Sequence, residues 1–196
     1  LWLLALASGL NNVAFNWAVT IGDVVRVILL FYLMPAWAVL LAWRILGERP
    51  TPAALLRLAL AFTGVVLVLL PEGAPASRLL QNLSLADALA LLGGFMFALT
   101  NVTLRRLHTV PGPARMFAMF GGCMLMALAV ACIGLQVGVV GPFPAANATW
   151  IVTGLLLAGV LMLGNWALQF GAARLAAGTT ALVMLSEVMF ASVSSA

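Results

Sequence analysis

What most constrains this chain is a succession of apolar stretches about 20 residues long, each closed by a short turn rich in Gly, Pro, Asn or charge. A helix rising about 1.5 Å per residue needs roughly 20 residues to cross a hydrocarbon core of about 30 Å. Six such stretches can be read, at residues 1–20, 25–46, 53–70, 86–104, 115–138 and 150–170, and a seventh begins near 177. Between them lie breakers such as Gly47-Glu48-Arg49-Pro50, Pro71-Glu72-Gly73-Ala74-Pro75, Pro111-Gly112-Pro113 and Gly141-Pro142-Phe143-Pro144, where the chain leaves the bilayer. Barrel strands need only about 9 to 11 residues and alternate in polarity. The expected fold is therefore all-α, a polytopic membrane helix bundle. Composition agrees, because 65% hydrophobic and 7% charged residues, against about a quarter charged in soluble domains, cannot build a water-facing surface.

Orientation follows from the arginines, of which Arg44, Arg49 and Arg57 flank the second turn, Arg105, Arg106 and Arg115 the fourth, and Arg174 the sixth. The odd-numbered turns carry only Arg26 and Arg78. By the positive-inside rule the even-numbered turns and residue 1 are cytoplasmic, with a bacterial inner (plasma) membrane as the expected location. The formal charge of +4 is accounted for by this topology, so no nucleic-acid partner is expected. The chain starts without Met inside an apolar stretch, and the last stretch stops at Ser194-Ser195-Ala196; a fragment lacking both ends is expected.

Catalytic chemistry finds no support. Cys123 and Cys132 are nine positions apart on one helix, on opposite faces, and read as small packing residues. His108 stands beside Arg105 and Arg106 with no further ligands at metal-binding spacing. The sequence contains no serine elbow, zinc helix or phosphate loop. No enzyme activity, cofactor or metal is expected.

An internal repeat is more informative. Phe15-Asn16-Trp17-Ala18-Val19-Thr20 followed by Gly22 matches Gly164-Asn165-Trp166-Ala167-Leu168-Gln169 followed by Gly171 at the same spacing. An odd number of crossings separates the copies, so Asn16 approaches the outer end of an outward-running span and Asn165 the inner end of an inward-running one. Inverted-topology repeats are the architecture of alternating-access transporters.

Further residues carry a family resemblance. Leu46-Gly47-Glu48-Arg49-Pro50-Thr51, preceded by a span with central Pro35 and followed by Gly64-Val65-Val66-Leu67, resembles the closing helices of an EamA repeat of the drug/metabolite transporter superfamily. Ser186-Glu187-Val188-Met189-Phe190-Ala191 resembles the penultimate helix of the second repeat. The resemblance implies a ten-helix permease of two inverted five-helix repeats, with about seven helices here. Residues 1–72 would be the last three helices of the first repeat, 73–85 an extracytoplasmic linker, and 86–196 the second repeat without its last helix. Val188 stands where the family usually has Pro, implying a straighter helix. Arg57 stands where a Gly usually opens the next helix, and can snorkel to the interface.

Substrate-facing residues are sought among polar groups in apolar spans. Ser8, Asn12, Asn16 and Thr20 recur every fourth residue and form one stripe, which faces either a watery cavity or a hydrogen-bonding neighbour helix. Asn165 and Gln169 repeat the pattern, and Asn101 with Thr100 and Thr103 is a further candidate lining. Glu187, about ten residues into the last span, carries Thr180 and Ser194 on roughly the same face. A carboxylate at a helix centre costs at least about 2.5 kcal/mol, so Glu187 is either a proton-coupling or cation-binding group or a protonated, hydrogen-bonded one. Pro35 should kink its helix, with Tyr32 one turn before it. Trp17, Trp37 and Trp166 are candidates for shaping the cavity, whereas Trp2, Trp43 and Trp150 suit the interfacial belt. Asp23 with Arg26 reads as an interfacial pair, and Glu48 with Arg49 as a solvated or interhelical one.

Two functions remain. The first is a secondary active transporter of a small organic metabolite, an exporter of amino-acid-like or amphipathic compounds, with the lipid bilayer, the small-molecule substrate and protons as partners. The alternative is a non-transporting membrane scaffold or subunit packed through small-residue faces such as Gly134-Leu135-Gln136-Val137-Gly138.

Overall fold

The computed structural model describes residues 1–69, 83–142 and 145–172. Its regular structure is helical, with no strand among the described residues: α1 Trp2–Ile21, α2 Val24–Phe31, α3 Met34–Leu41, a π-helical turn Ala42–Leu46, α4 Pro52–Leu69, α5 Leu85–Arg106, α6 Gly112–Val137 and α7 Ala148–Ala172. Helices occupy the six expected stretches within a few residues, the second stretch being divided between α2, α3 and the π-helical turn. The seventh, with Arg174 and Glu187, lies outside the described residues. Val24–Leu46, Leu85–Arg106 and Gly112–Val137 are each long and apolar enough to cross a membrane. The chain is a polytopic helical membrane protein.

The described residues fall into two compact units that divide between Gly141 and Pro142. The second contributes α7, whose residues 148–164 are exposed throughout. In the first unit α1 packs against both α5 and α6. Its buried residues Leu4, Ala7, Ala14 and Ala18 recur every three or four positions, the spacing of one helix face. This face meets α5 antiparallel, since Gly22 lies against Ala86 and Phe15 against Gly93. Ala18, Val27, Leu30, Ala86 and Ala90 make the core, and three of the five are alanines, which lets backbones approach closely. On the other side α1 crosses α6 where a Cβ on Gly122 would stand 2.1 Å from the Ala5 carbonyl oxygen, and one on Gly9 would stand 2.5 Å from that of Gly122. Only glycine permits that crossing. Phe117, Met124, Leu125, Leu128 and Ile133 of α6 are exposed, a surface suited to lipid.

The second span is broken. After α2 ends at Phe31, Tyr32 and Leu33 form a turn and Pro35 occupies the first turn of α3. Proline has no N–H to return to the carbonyl four residues back, which is that of Phe31. Gly94 of α5 accommodates this opening, because a Cβ there would stand 2.7 Å from the Phe31 oxygen. Phe31 is also held between Phe15 and Phe97, with ring centroids at 4.6 and 5.7 Å.

Helix ends follow local chemistry. The π-helical turn closes at Gly47 with φ 72°, a left-handed conformation that glycine adopts without penalty. At α6, Gly138 has φ 75°, and the N–H groups of Val139 and Val140 both return to the Gly134 carbonyl at 2.9 and 3.1 Å. A Cβ on Gly134 would stand 2.5 Å from Val140. The glycine pair expected to mark a helix contact therefore serves to terminate its own helix, a correction with a plain cause: the folded-back chain needs the room.

Candidate substrate cleft

Beyond the Gly9–Gly122 crossing, α1 and α6 diverge and leave a cleft of about 500 Å³. Asn12, Val13, Asn16, Trp17, Thr20 and Ile21 line it from α1, and Ala127, Val130, Ala131, Val139 and Val140 from α6 and its folded-back end. Glycine permits the near contact at one level, and small residues on α6 leave space at the next. Of the polar stripe, Ser8 alone lies outside the cleft. It is buried at the crossing, where its hydroxyl donates to Leu4 O at 2.8 Å and stands 3.2 Å from Met119 O of α6. The Cys123 thiol donates back to Ser8 O at 3.4 Å. Within the cleft the Asn16 amide donates to Asn12 O at 2.7 Å and the Thr20 hydroxyl to Asn16 O at 2.8 Å. The Asn12 side chain makes no hydrogen bond among the described residues.

Two ion pairs join the second span to α5, one at each end. Arg26 grips Asp87 through Nε to Oδ1 at 2.8 Å and Nη2 to Oδ2 at 2.9 Å. Asp87 also accepts the Ser84 N–H at 2.9 Å, while Ser84 Oγ accepts the Asp87 N–H at 3.1 Å. That reciprocal capping box satisfies orphan donors at the start of α5. Asp87 has 2% of its side chain exposed and Arg26 33%. At the other end Glu48 pairs with Arg105, with 48% and 60% exposed. Both expected pairs reach beyond their neighbours along the chain. Asp23 caps α2 through the Arg26 backbone N–H at 2.8 Å while the Arg26 guanidinium reaches across to α5, and Glu48 likewise bridges to α5 instead of closing on its neighbour Arg49. The free end of a long arginine side chain is better served by a carboxylate on a packed helix than by one a turn away on a surface.

Comparison with known proteins then bears on residues 1–70, which match the model of the EamA-like transporter family. The match covers 70 of the chain's 196 residues. No curated protein and no solved structure matches the chain.

The EamA-like stretch holds α1 to α4, hence the whole polar wall of the cleft, with Asn12, Asn16 and Trp17. The other expected site residues fall elsewhere. Tyr32 is exposed at the break in the second span. Trp37 sits on α3 edge-on to Phe62 and Phe95, at 6.2 and 5.6 Å between centroids, with its indole Nε1 buried and without a hydrogen-bond partner among the described residues. Asn101 is exposed and donates to Phe97 O at 3.0 Å, while Thr100 and Thr103 beside it are buried. Trp166 is exposed on α7. Asn165 and Gln169 belong to the same helix, and the descriptions of their side chains, like Glu187, lie outside the described residues. Asp87 was missed by sequence reasoning, although Ser84 three residues before it, opening an apolar run, is a legible capping signal. The wall of Ala127, Val130 and Ala131 was missed because small apolar residues carry no individual signal.

Proposed function

We propose that the protein is a secondary active transporter of a small organic metabolite, an exporter of amino-acid-like or amphipathic compounds, working by alternating access of two inverted repeats. The observation that carries this reading is the cleft: on the EamA-like segment, three regularly spaced polar residues line a space large enough for a small molecule. Asn165, Trp166 and Gln169 are the counterparts in the second repeat, and Glu187 is the coupling carboxyl. The arginine-rich turns face the cytoplasm of a bacterial cell; of the two arginines on the opposite side, Arg26 is paired with Asp87. The scaffold reading loses its main feature, since Gly134 and Gly138 are used within their own helix end.

The test uses the intact native protein in sealed vesicles. Uptake of an amino-acid and metabolite panel is measured with and without an imposed pH gradient, for wild type, Asn16→Leu and Glu187→Gln. Gradient-stimulated uptake should appear in wild type, fall at least about tenfold in Asn16→Leu, and lose its pH stimulation in Glu187→Gln. Uptake that neither variant changes would refute both residue assignments, and no uptake of any panel member would refute the transport reading.

A further inference from the structure

The packing of α1 on α6 is uneven along its length. The two helices run parallel, since Ala5 and Gly9 meet Gly122 and the cleft beyond is lined by Asn12, Asn16 and Thr20 on one side and Ala127, Val130 and Ala131 on the other. At the crossing they touch backbone to backbone, because a Cβ on Gly9 would stand 2.5 Å from Gly122 O and 2.9 Å from the Met126 Cβ. Among the described residues, the side-chain hydrogen bonds between α1 and α6 sit at this level alone, Ser8 Oγ to Met119 O at 3.2 Å and Cys123 Sγ to Ser8 O at 3.4 Å. A crossing without interlocking side chains lets two helices change angle without repacking ridges into grooves, and the short residues beyond it leave room for the swing. The stripe on α1 is also suited to meeting an apolar wall. Thr20 donates to Asn16 O at 2.8 Å, and Asn16 gives one amide proton to Asn12 O at 2.7 Å, so these donors keep their partners within α1 when the cleft is shut.

Building on the transport reading, we propose that the crossing of Ser8 and Gly9 with Gly122 and Cys123 is a pivot and that the cleft is the gate it works. The Ala127 and Ala131 face of α6 swings onto Asn12, Asn16 and Thr20 to empty the cleft, and swings away to open it. In the orientation proposed above both helices run from the cytoplasm outward and the cleft lies on the outer side of the crossing, so this gate closes the extracytoplasmic path. The two bonds at the crossing hold the helices together while the angle changes, because a carbonyl oxygen accepts over a broad range of directions.

The experiment places disulfides in the intact protein in sealed vesicles, with Cys132→Ala throughout. Ser8→Cys faces the native Cys123 at the crossing. Ile21→Cys is combined with Val139→Cys, and separately with Val140→Cys, across the cleft, both with Cys123→Ala. A disulfide holds Cα atoms within about 7 Å, so it fixes each pair at its shut distance. Every oxidised variant is compared with its own reduced form, for crosslink formation and for uptake of the metabolite panel. The crossing and at least one cleft pair should crosslink. Locking the crossing should leave at least about half of the uptake, whereas locking the cleft should lower it at least about tenfold, reversibly with reductant. A crossing that does not crosslink, a cleft that neither pair can lock, or uptake lost on locking the crossing would each overturn the inference. A variant without uptake even when reduced is read from crosslink formation alone. Uptake that survives a locked cleft would uphold transport and refute the gate. Crosslinks at both levels, in a protein whose wild type takes up no panel member, would uphold the closure and refute the transport reading.

Discussion

Breaking the Arg26–Asp87 pair gives the sharpest test of how the bundle is held. Asp87 accepts two hydrogen bonds from the guanidinium and one from the Ser84 backbone, with 2% of its side chain exposed. Hydrogen bonds to charged groups contribute about 1.5–3 kcal/mol, and a helix cap about 1 kcal/mol. Asp87→Asn keeps an acceptor for the Ser84 N–H and loses the charge, and should cost about 2 kcal/mol because Arg26, 33% exposed, recovers part of its hydration. Arg26→Met strands a buried carboxylate, and should cost about 3 kcal/mol. The double variant Arg26→Met/Asp87→Asn leaves no uncompensated charge and should cost less than the sum of the two, with a coupling of about 2 kcal/mol. Unfolding of the purified protein in mixed micelles, followed for all four proteins, reads this directly. Additive losses, or a coupling below about 0.5 kcal/mol, would show that the pair is incidental and that apolar packing holds this end of the second span to α5.

Three further outcomes are expected. Gly122→Ala places a Cβ 2.1 Å from the Ala5 oxygen and should destabilise by about 2–3 kcal/mol, whereas Gly121→Ala, with nothing within 4 Å, should be close to neutral; folded yield and unfolding midpoint of the two variants check this. Glu48→Gln removes an exposed pair and should cost less than about 1 kcal/mol, with the difference from wild type shrinking in high salt. Gly47→Ala meets no neighbour within 4 Å but must adopt φ 72°, so about 1–2 kcal/mol is expected from backbone strain alone, with Gly47→Asn costing less.

The spans were legible because length and continuous apolarity are set by the bilayer, and turn residues mark each exit. The polar wall of the cleft was legible for a related reason: Asn12, Asn16 and Thr20 are costly in hydrocarbon, and their spacing by four puts them on one face. Partner choice was not. Arg26 and Asp87 stand 61 positions apart, and only the antiparallel packing of α1 and α5 across small residues brings the start of α5 to the start of α2. Reading Asp23 or Arg49 as the partner followed proximity along the chain, which is a poor guide where a long side chain can reach another helix. Gly134 and Gly138 carried a spacing that two mechanisms share, helix contact and helix termination, and the returning hydrogen bonds of Val139 and Val140 decide between them. Pro35 announced a disruption, whereas the space that Gly94 leaves for the Phe31 carbonyl depends on a helix about sixty residues later.

That long-range pairing also bears on the order of assembly. In the orientation proposed above, Arg26 crosses the membrane, and it is made 61 residues before Asp87. An unpaired arginine at a helix centre opposes insertion by about 2.5–3.5 kcal/mol, less near an end. Until α5 arrives, the second span is therefore held across the bilayer against the pull of its own cation, and the arginines of the following turn are what retain it. In that orientation the neutralisation of Arg26 waits for a residue at the start of α5, so the stability of the second span depends on a helix made after it.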